Sequence, residues 1–252
     1  MIIDYRDATT KDAEALKSID TLKQKDKCEI DFSNTIVTKP WGEEYLLYKN
    51  SDVAIWILHI EANHSTSMHT HPNKNTSLIC LDSKVICETL DDKHILDSQR
   101  GIYLGKRVFH QTSNHTDKRA IVMEIETPVD KFDLIRLFDN YRRENQAYES
   151  MDSYSKQEGL TLQNIDKNPM LRKFGKMCVT IGFAKNRAEL LKIYNTIDDK
   201  VIATLLDRNI WDNKGSKKFE VGQLIELNEK ILNNYEINDN FNYLIVSKDR
   251  DA

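Results

Sequence analysis

Three histidines are the residues of this 252-residue chain whose types and spacing could do chemistry. His69 and His71 are separated by one residue, and His110 follows later in the chain. Because side chains alternate between the two faces of a β-strand, His69 and His71 would point to the same side. If a neighbouring strand carries His110, three imidazoles converge on one point, which is how proteins bind zinc and similar metals. The spacing therefore predicts a metal site formed by His69, His71 and His110.

Short strands are the elements that must position these histidines. From about residue 36 to residue 127, short apolar runs are separated by polar turns. Many short strands with regularly spaced turn signals are typical of a β-sandwich or barrel. Before this region, residues 9–25 carry apolar residues at steps of three, which predicts a charged helix with Thr9 or Thr10 as its N-cap.

The sequence after the strand-rich region is mixed. A polar segment at 141–156 predicts a connection, and 186–195 predicts a helix. Residues 201–211 resemble a strand-turn-strand unit, and 219–225 resemble a further strand. We therefore divide the chain into an N-terminal helical segment (1–35), a metal-binding barrel (36–145) and a C-terminal domain (146–252). The C-terminal domain is α+β, with a second, degenerate barrel as the alternative.

Composition and charge exclude several classes of function. The formal net charge is -4 at pH 7 and no basic tract occurs, so nothing indicates a nucleic-acid partner. No apolar run approaches the length of a membrane span. The N-terminus has acidic residues where a secretory signal needs a basic and then apolar stretch, and the four cysteines show no paired spacing. We expect a cytoplasmic protein without a membrane partner.

The histidine spacing resembles that of the cupins, which are double-stranded β-helix barrels of the jelly-roll type. Their first motif has His-x-His followed by a Glu, and their second motif ends in His-x-x-x-Asn. Here His69 and His71 match the first motif, and His110 with Asn114 matches the second. The cupin Glu position falls on Asn75 or Thr76, so this carboxylate is absent from the motif. The resemblance implies a mainly β, jelly-roll barrel.

Three separated segments resemble a particular cupin family, the bacterial type II mannose-6-phosphate isomerase domain. Residues 39–42 read Lys-Pro-Trp-Gly, and residues 65–71 match its Ser-x-x-x-His-x-His. Residues 133–143 resemble its closing segment, with Arg142 in place of a Gly. The resemblance covers roughly residues 39–143. It implies a metal-dependent sugar-phosphate isomerase or epimerase of carbohydrate metabolism, such as the synthesis of capsule or surface-polysaccharide precursors.

The same resemblance implies the ligands and the assembly. A three-histidine site suits a divalent transition metal, namely zinc, iron, nickel or manganese. The implied substrate is a phosphorylated or nucleotide-linked sugar, and the implied assembly is a homodimer. The expected binding partner is therefore a small molecule.

The residues after the His-x-His set the predicted chemistry. Lys74 occupies the space in which the family keeps an acid, and a cation there would attract a sugar phosphate. Arg136, in the matched closing segment, is the second candidate for binding the phosphate, because its planar fork suits oxyanions. The pattern does not assign a general base, for which Glu61 and His64 are the candidates. The prediction is a metal site that has lost its acid.

Two other functions remain open. Some cupins resemble thiol dioxygenases, which bind Fe(II) with three histidines and no carboxylate. The missing Glu fits that pattern. The flanking segments nevertheless resemble the isomerases. The third hypothesis is a non-catalytic carbohydrate-binding cupin, which the missing Glu and the unmatched C-terminal region favour.

Overall fold

Two facing β-sheets form the centre of the structure, a computed structural model that describes residues 2–19, 30–98, 100–143, 149–163, 165, 168–197, 200–212, 214–225, 235–236 and 239–249. The larger sheet contains eight strands: β1 (Ile2–Arg6), β2 (Thr35–Lys39), β3 (Gly42–Lys49), β4 (Ala54–Ile60), β6 (Asn75–Asp82), β9 (Arg100–Leu104), β11 (Ala120–Thr127) and β13 (Tyr154–Lys156). The smaller sheet contains five strands: β5 (Met68–Thr70), β7 (Val85–Thr89), β8 (Lys93–Leu96), β10 (His110–Ser113) and β12 (Ile135–Phe138).

The strand order identifies the architecture. The larger sheet runs β1-β9-β6-β11-β4-β3-β2-β13, and the smaller runs β12-β5-β10-β7-β8. Within them, β9-β6-β11-β4 faces β5-β10-β7-β8, which is the strand order of an eight-stranded jelly roll with two Greek keys. The prediction of a mainly β, double-stranded β-helix barrel of the cupin type is confirmed.

Side-chain alternation along the central strands explains why their sequences are almost wholly apolar. On β4, Trp56 and Leu58 pack inside the barrel, whereas Ile55 and Ile57 pack on its outer face. On β11, the even-numbered positions point inward with Val122. Both faces of this sheet are buried, so both sets of alternating positions are apolar except where the interior becomes polar.

The N-terminal segment begins with a strand that the sequence analysis did not predict. β1 pairs in parallel with β9 at the edge of the larger sheet of its own chain. The helix α1 (Thr10–Ser18) then starts at the N-cap Thr9, as predicted. It ends earlier than the predicted residue 25, because Ile19 is already extended. Residues 20–29 lie outside the described residues.

The carboxylate of Asp12 joins this helix to the barrel. Its Oδ2 accepts a hydrogen bond from the backbone N–H of Thr9 at 2.9 Å, as in a capping box. Its Oδ1 accepts a second hydrogen bond, at 2.8 Å, from the backbone N–H of Phe109, the residue before His110. Asp12 is buried, so both bonds are shielded from water.

The C-terminal region is α+β in its described residues. One sheet of this region has four antiparallel strands in the order β14-β15-β20-β16. These strands are β14 (Met170–Phe174), β15 (Met177–Ala184), β20 (Phe241–Lys248) and β16 (Lys200–Leu205). A three-stranded sheet contains β17 (Ile210–Asp212), β18 (Lys217–Phe219) and β19 (Tyr235–Glu236). A 3₁₀ turn at Met151–Ser153 precedes β13, and the predicted helix is α2 (Arg187–Thr196), capped by the Asn186 side chain.

Two expectations for this region need correction. The described strands form sheets of four and three strands with a helix between β15 and β16, so the alternative of a second barrel is not confirmed. The strand predicted at 219–225 is wrong beyond Phe219, because the chain turns at Gly222 with a φ of +74°. The backbone N–H of Gly222 donates to the carbonyl of Leu205 instead.

The four-stranded C-terminal sheet covers the outer face of the larger barrel sheet. Barrel residues such as Ile55 and Ile125 share one buried cluster with Val179, Leu244 and Val246. This shared cluster explains why the outward positions of the barrel strands are apolar. In addition, β13, which follows the predicted boundary at residue 145, pairs with β2.

Two further expectations concern cysteines and membranes. Cys80, Cys87 and Cys178 are buried, and burial raises the pKa of Cys80 and of Cys87 to about 12. Cys28 lies outside the described residues. Neither helix in the described part of the chain is long and apolar enough to cross a membrane.

Candidate metal centre

The three histidines predicted as ligands converge between the two sheets. β10 pairs with β5 so that His110 lies opposite His69, and His71 follows the end of β5. The ring centroids are 4.4 Å apart for His69 and His110, 4.9 Å for His69 and His71, and 5.3 Å for His71 and His110. One ring nitrogen from each lies within 4.8 Å of the others, and all three side chains are buried.

Backbone carbonyls fix the tautomer of each ring. The Nδ1 atoms lie 2.8 Å from the carbonyl oxygen of Ser67 for His69, 2.6 Å from that of Asp133 for His71, and 3.2 Å from that of Val108 for His110. A carbonyl only accepts, so each Nδ1 carries the proton and each Nε2 keeps its lone pair. Such outer partners are what orient histidines that ligate metals.

Burial keeps the three rings neutral, which is the form that binds a metal. Burial, together with neighbouring positive groups, lowers the pKa of His69 and of His71 well below 6.5 and lowers the pKa of His110 to about 4. The Nε2 atoms of His71 and His110 are buried and have no hydrogen-bond partner. A buried polar atom without a partner is costly, and a divalent transition metal accepting these lone pairs would remove the cost. The residues present therefore fit a metal.

Two glutamates on β11 supply the carboxylates that the cupin motif lacks here. Glu124 and Glu126 point into the barrel, and one oxygen from each lies within 4.8 Å of the other and of a ring nitrogen of His71. The register places Glu126 opposite Thr76 on β6, one of the two positions at which the cupin Glu was expected. The motif itself lacks the acid, as the sequence analysis stated, and the neighbouring strand places two carboxylates beside His71.

Glu126 is fully engaged by its neighbours. One carboxylate oxygen accepts a hydrogen bond from Lys74 Nζ at 2.6 Å, and the other accepts one from Trp56 Nε1 at 3.2 Å. Lys74 also donates to the carbonyl of Asp130 at 3.0 Å and is only 1% exposed. Lys74 was predicted to bind a phosphate, but its ammonium is committed to this buried ion pair.

Glu124 differs from Glu126 in its hydrogen bonding. No hydrogen bond from a described residue reaches its carboxylate, although the side chain is buried. Burial, and then the neighbouring Glu126 carboxylate, raises the pKa of Glu124 to about 7. A carboxyl group that titrates near neutrality can both accept and donate a proton. The sequence analysis did not identify this group as a candidate base.

A small cavity of about 60 Å³ joins these groups, enough space for a few water molecules. Arg136 lines it from β12, where its register partner is His69, and Arg136 Nη2 lies 3.9 Å from Glu149. Further charged side chains that line the cavity are Lys39, Glu44, Lys131 and Arg143. The interior of this half of the barrel is therefore ionic, with cations and carboxylates alternating.

The two candidates for the general base lie outside the cavity. Glu61 forms an ion pair with Arg119 at the surface. His64 is exposed, its Nδ1 lies 2.8 Å from the carbonyl of Ala62, and its ring stacks on Tyr141 with centroids 6.4 Å apart. Neither residue contacts the histidine cluster through an interaction among the described residues.

The jelly-roll order and the buried histidine cluster define a cupin-type barrel with a candidate metal centre. No protein-family model matches the sequence, and no curated protein matches it. Among solved structures, the chain is similar to the capsular polysaccharide assembling protein CapF from Staphylococcus aureus, with 13% identity and a TM-score of 0.38 over 41% of this chain and 34% of that chain.

Two shorter solved structures are also similar. KdgF from Halomonas sp. has 11% identity and a TM-score of 0.35, over 36% of this chain and 84% of that chain. A cupin-2 domain protein from Rhodospirillum rubrum has 9% identity and a TM-score of 0.33, over 35% of this chain and 62% of that chain. The match to CapF spans about a third of CapF's length.

Proposed function

We propose that this chain is a metal-dependent isomerase or epimerase that acts on a phosphorylated or nucleotide-linked sugar. The observation that carries the proposal is the position of Glu124, a buried carboxyl group with a pKa of about 7, beside His71 in the cavity of three neutral histidines. The sugar is proposed because residues 39–42 and 133–143 resemble segments of the mannose-6-phosphate isomerase domain.

Glu124 is the proposed proton carrier. An aldose–ketose interconversion moves one proton between adjacent carbons through an enediol. Glu124 as a carboxylate takes the proton from one carbon and, as a carboxylic acid, returns it to the neighbouring carbon, while the proton of the adjacent hydroxyl group passes to the carbonyl oxygen. The side chain is therefore unchanged after one turnover. A divalent metal held by the histidines would polarise the carbonyl and hydroxyl oxygens of the sugar.

Fixed charges support this chemistry. The Lys74 ammonium forms an ion pair with Glu126, whereas no ion pair with a described residue holds Glu124. Of the two residues predicted to bind a phosphate, Arg136 is the one we retain, because it lines the cavity next to His69. Its guanidinium would hold an anionic group of the substrate.

Exchange of solvent deuterium tests the proposal. Protein loaded separately with zinc, iron(II), nickel or manganese is incubated in D₂O with a panel of hexose phosphates and nucleotide-linked keto-hexoses, and the sugars are analysed by NMR. We expect deuterium at the carbon next to the carbonyl with at least one metal, and loss of this exchange in Glu124→Gln. Glu61→Gln is the matched control and keeps the wild-type rate. No exchange with any combination of metal and sugar contradicts the proposal.

A second function is favoured by one observation. The three histidines form a set of their own, which shares only His71 with the glutamate pair. Three neutral histidines without a carboxylate suit Fe(II) that activates oxygen for a thiol substrate. Loading with Fe(II) under anaerobic conditions, followed by oxygen uptake with a panel of small thiols, separates this function from the isomerase.

A further inference from the structure

A second and larger cavity adjoins the metal cavity. Its volume is about 550 Å³, whereas the cavity at the histidines measures about 60 Å³. Small-molecule sites typically measure about 300–1,000 Å³. The metal cavity alone is therefore too small for a hexose phosphate, and the larger one has the required space. Glu126 and Lys131 line both cavities, so they form a shared wall.

Three aromatic side chains line part of the larger cavity, namely Phe32, Trp56 and Phe132. Phe32 packs edge-on against Trp56 with ring centroids 5.3 Å apart, and it lies tilted against Phe132 at 6.5 Å. The other described lining residues are aliphatic or charged, namely Ile30, Asp31, Leu46, Lys49, Ala54, Val129 and Asp130, together with the two residues of the shared wall. Flat apolar surfaces edged by charged groups suit a ligand with an apolar face and a polar perimeter.

The shared wall consists of side chains. Lys131 Nζ lies 3.7 Å from the centroid of the Trp56 ring and 3.0 Å from a carboxylate oxygen of Glu44. Trp56 in turn donates to Glu126. The larger cavity therefore meets the cavity of the histidines and Glu124 at two side chains, those of Glu126 and Lys131.

We propose that the aromatic cavity is the subsite for the pyranose ring of the substrate, with the reacting carbons directed at the wall formed by Glu126 and Lys131. The choice of a sugar rests on the proposed function. A pyranose ring matches the lining, because its C–H groups form an apolar face for the phenyl rings and its hydroxyl groups form a polar edge for Asp31, Asp130 and Lys49.

Ligand-observed NMR with metal-free protein tests this subsite. Methyl hexopyranosides serve as probes, since they have no carbonyl group and no phosphate and are not substrates of an isomerase. We expect saturation transfer to their ring protons in the wild type. The signal should be at least about fivefold weaker in Phe132→Ala, which removes one aromatic wall, and in Ala54→Leu, which fills the cavity.

Phe138→Ala is the matched control, because Phe138 is an exposed phenylalanine that lines neither cavity. It should keep the wild-type signal. Equal signals in all four proteins, or no signal in the wild type, overturn the proposal. This readout needs neither metal nor turnover, so it is independent of the deuterium exchange. Saturation transfer without exchange contradicts the proposed function alone, and exchange without saturation transfer contradicts the subsite alone.

Discussion

Glu126 on β11 lies directly opposite Thr76 on β6, one of the two positions at which the cupin motif would carry a Glu. The adjacent strand therefore places a carboxylate next to that position. Glu126 and Glu124 each have a carboxylate oxygen within 4.8 Å of a ring nitrogen of His71. The chemical environment of the site therefore depends on the pairing of two strands and not on the motif alone.

Removing the carboxyl group of Glu124 should stop proton transfer and leave metal binding intact. Glu124→Gln keeps the size of the side chain, and the three histidines form their set without Glu124. We expect deuterium exchange to fall by at least about 100-fold, the usual contribution of a positioned acid–base group. Metal content, measured by elemental analysis, should equal that of the wild type. A variant that lost its metal together with its exchange would assign Glu124 to metal binding instead.

Breaking the ion pair between Lys74 and Glu126 should destabilise the fold. Both side chains are almost fully buried, and removal of one partner leaves an uncompensated charge inside the protein. We expect Lys74→Met to lower the free energy of unfolding by about 3–5 kcal/mol, measured by urea denaturation. The double variant Lys74→Met with Glu126→Gln should recover much of this loss.

The control for that experiment is the exposed pair of Glu61 and Arg119. Arg119→Met should cost less than about 1 kcal/mol, because surface ion pairs contribute little in water. If Lys74→Met were equally mild, the buried pair would have no special role in stability.

Removal of single histidines should separate ligands from bystanders. His110→Ala removes one of three converging nitrogens, and we expect metal affinity to fall by at least about tenfold. His64→Ala should retain the wild-type affinity, since His64 lies at the surface against Tyr141. Titration with cobalt(II), followed by its visible absorption spectrum, measures both variants without any assay of activity.

The stability of the metal-free protein should fall as the pH drops below about 6.5. The pKa of His110 is lowered to about 4 in the folded state, whereas an unfolded histidine keeps a value near 6.5. Between these values the unfolded chain binds a proton that the folded chain does not, so acid favours unfolding. The effect of His110 alone amounts to about 3 kcal/mol across this range. Urea denaturation at several pH values should show a smaller slope in His110→Asn and an unchanged slope in His115→Asn, whose side chain is exposed.

The barrel and the histidine cluster could be predicted because both depend on local patterns. Short apolar runs separated by polar turns predict strands, and His69 and His71 must share a face at their spacing. The start of α1 at Thr9 followed from a capping residue, which also acts locally, and the helix predicted at 186–195 is α2. These features need no knowledge of which strands become neighbours.

The partners of Lys74 and the position of the acid could not be predicted, because they depend on the register between β6 and β11. Those strands are distant in sequence, and spacing does not reveal which residues face each other. A signal was nevertheless present. Glu124 and Glu126 alternate within an otherwise apolar strand, so they point to one buried face, where charged side chains are rare unless paired or functional.

The two hydrogen bonds of Asp12 have a practical consequence for handling the protein. The same carboxylate accepts a hydrogen bond in the first turn of α1 and another from the backbone beside His110. The N-terminal helix is therefore bonded directly to the residue that precedes this histidine. Proteolytic removal of the N-terminal residues through Asp12 would break both bonds, so such a product should retain metal less well during purification.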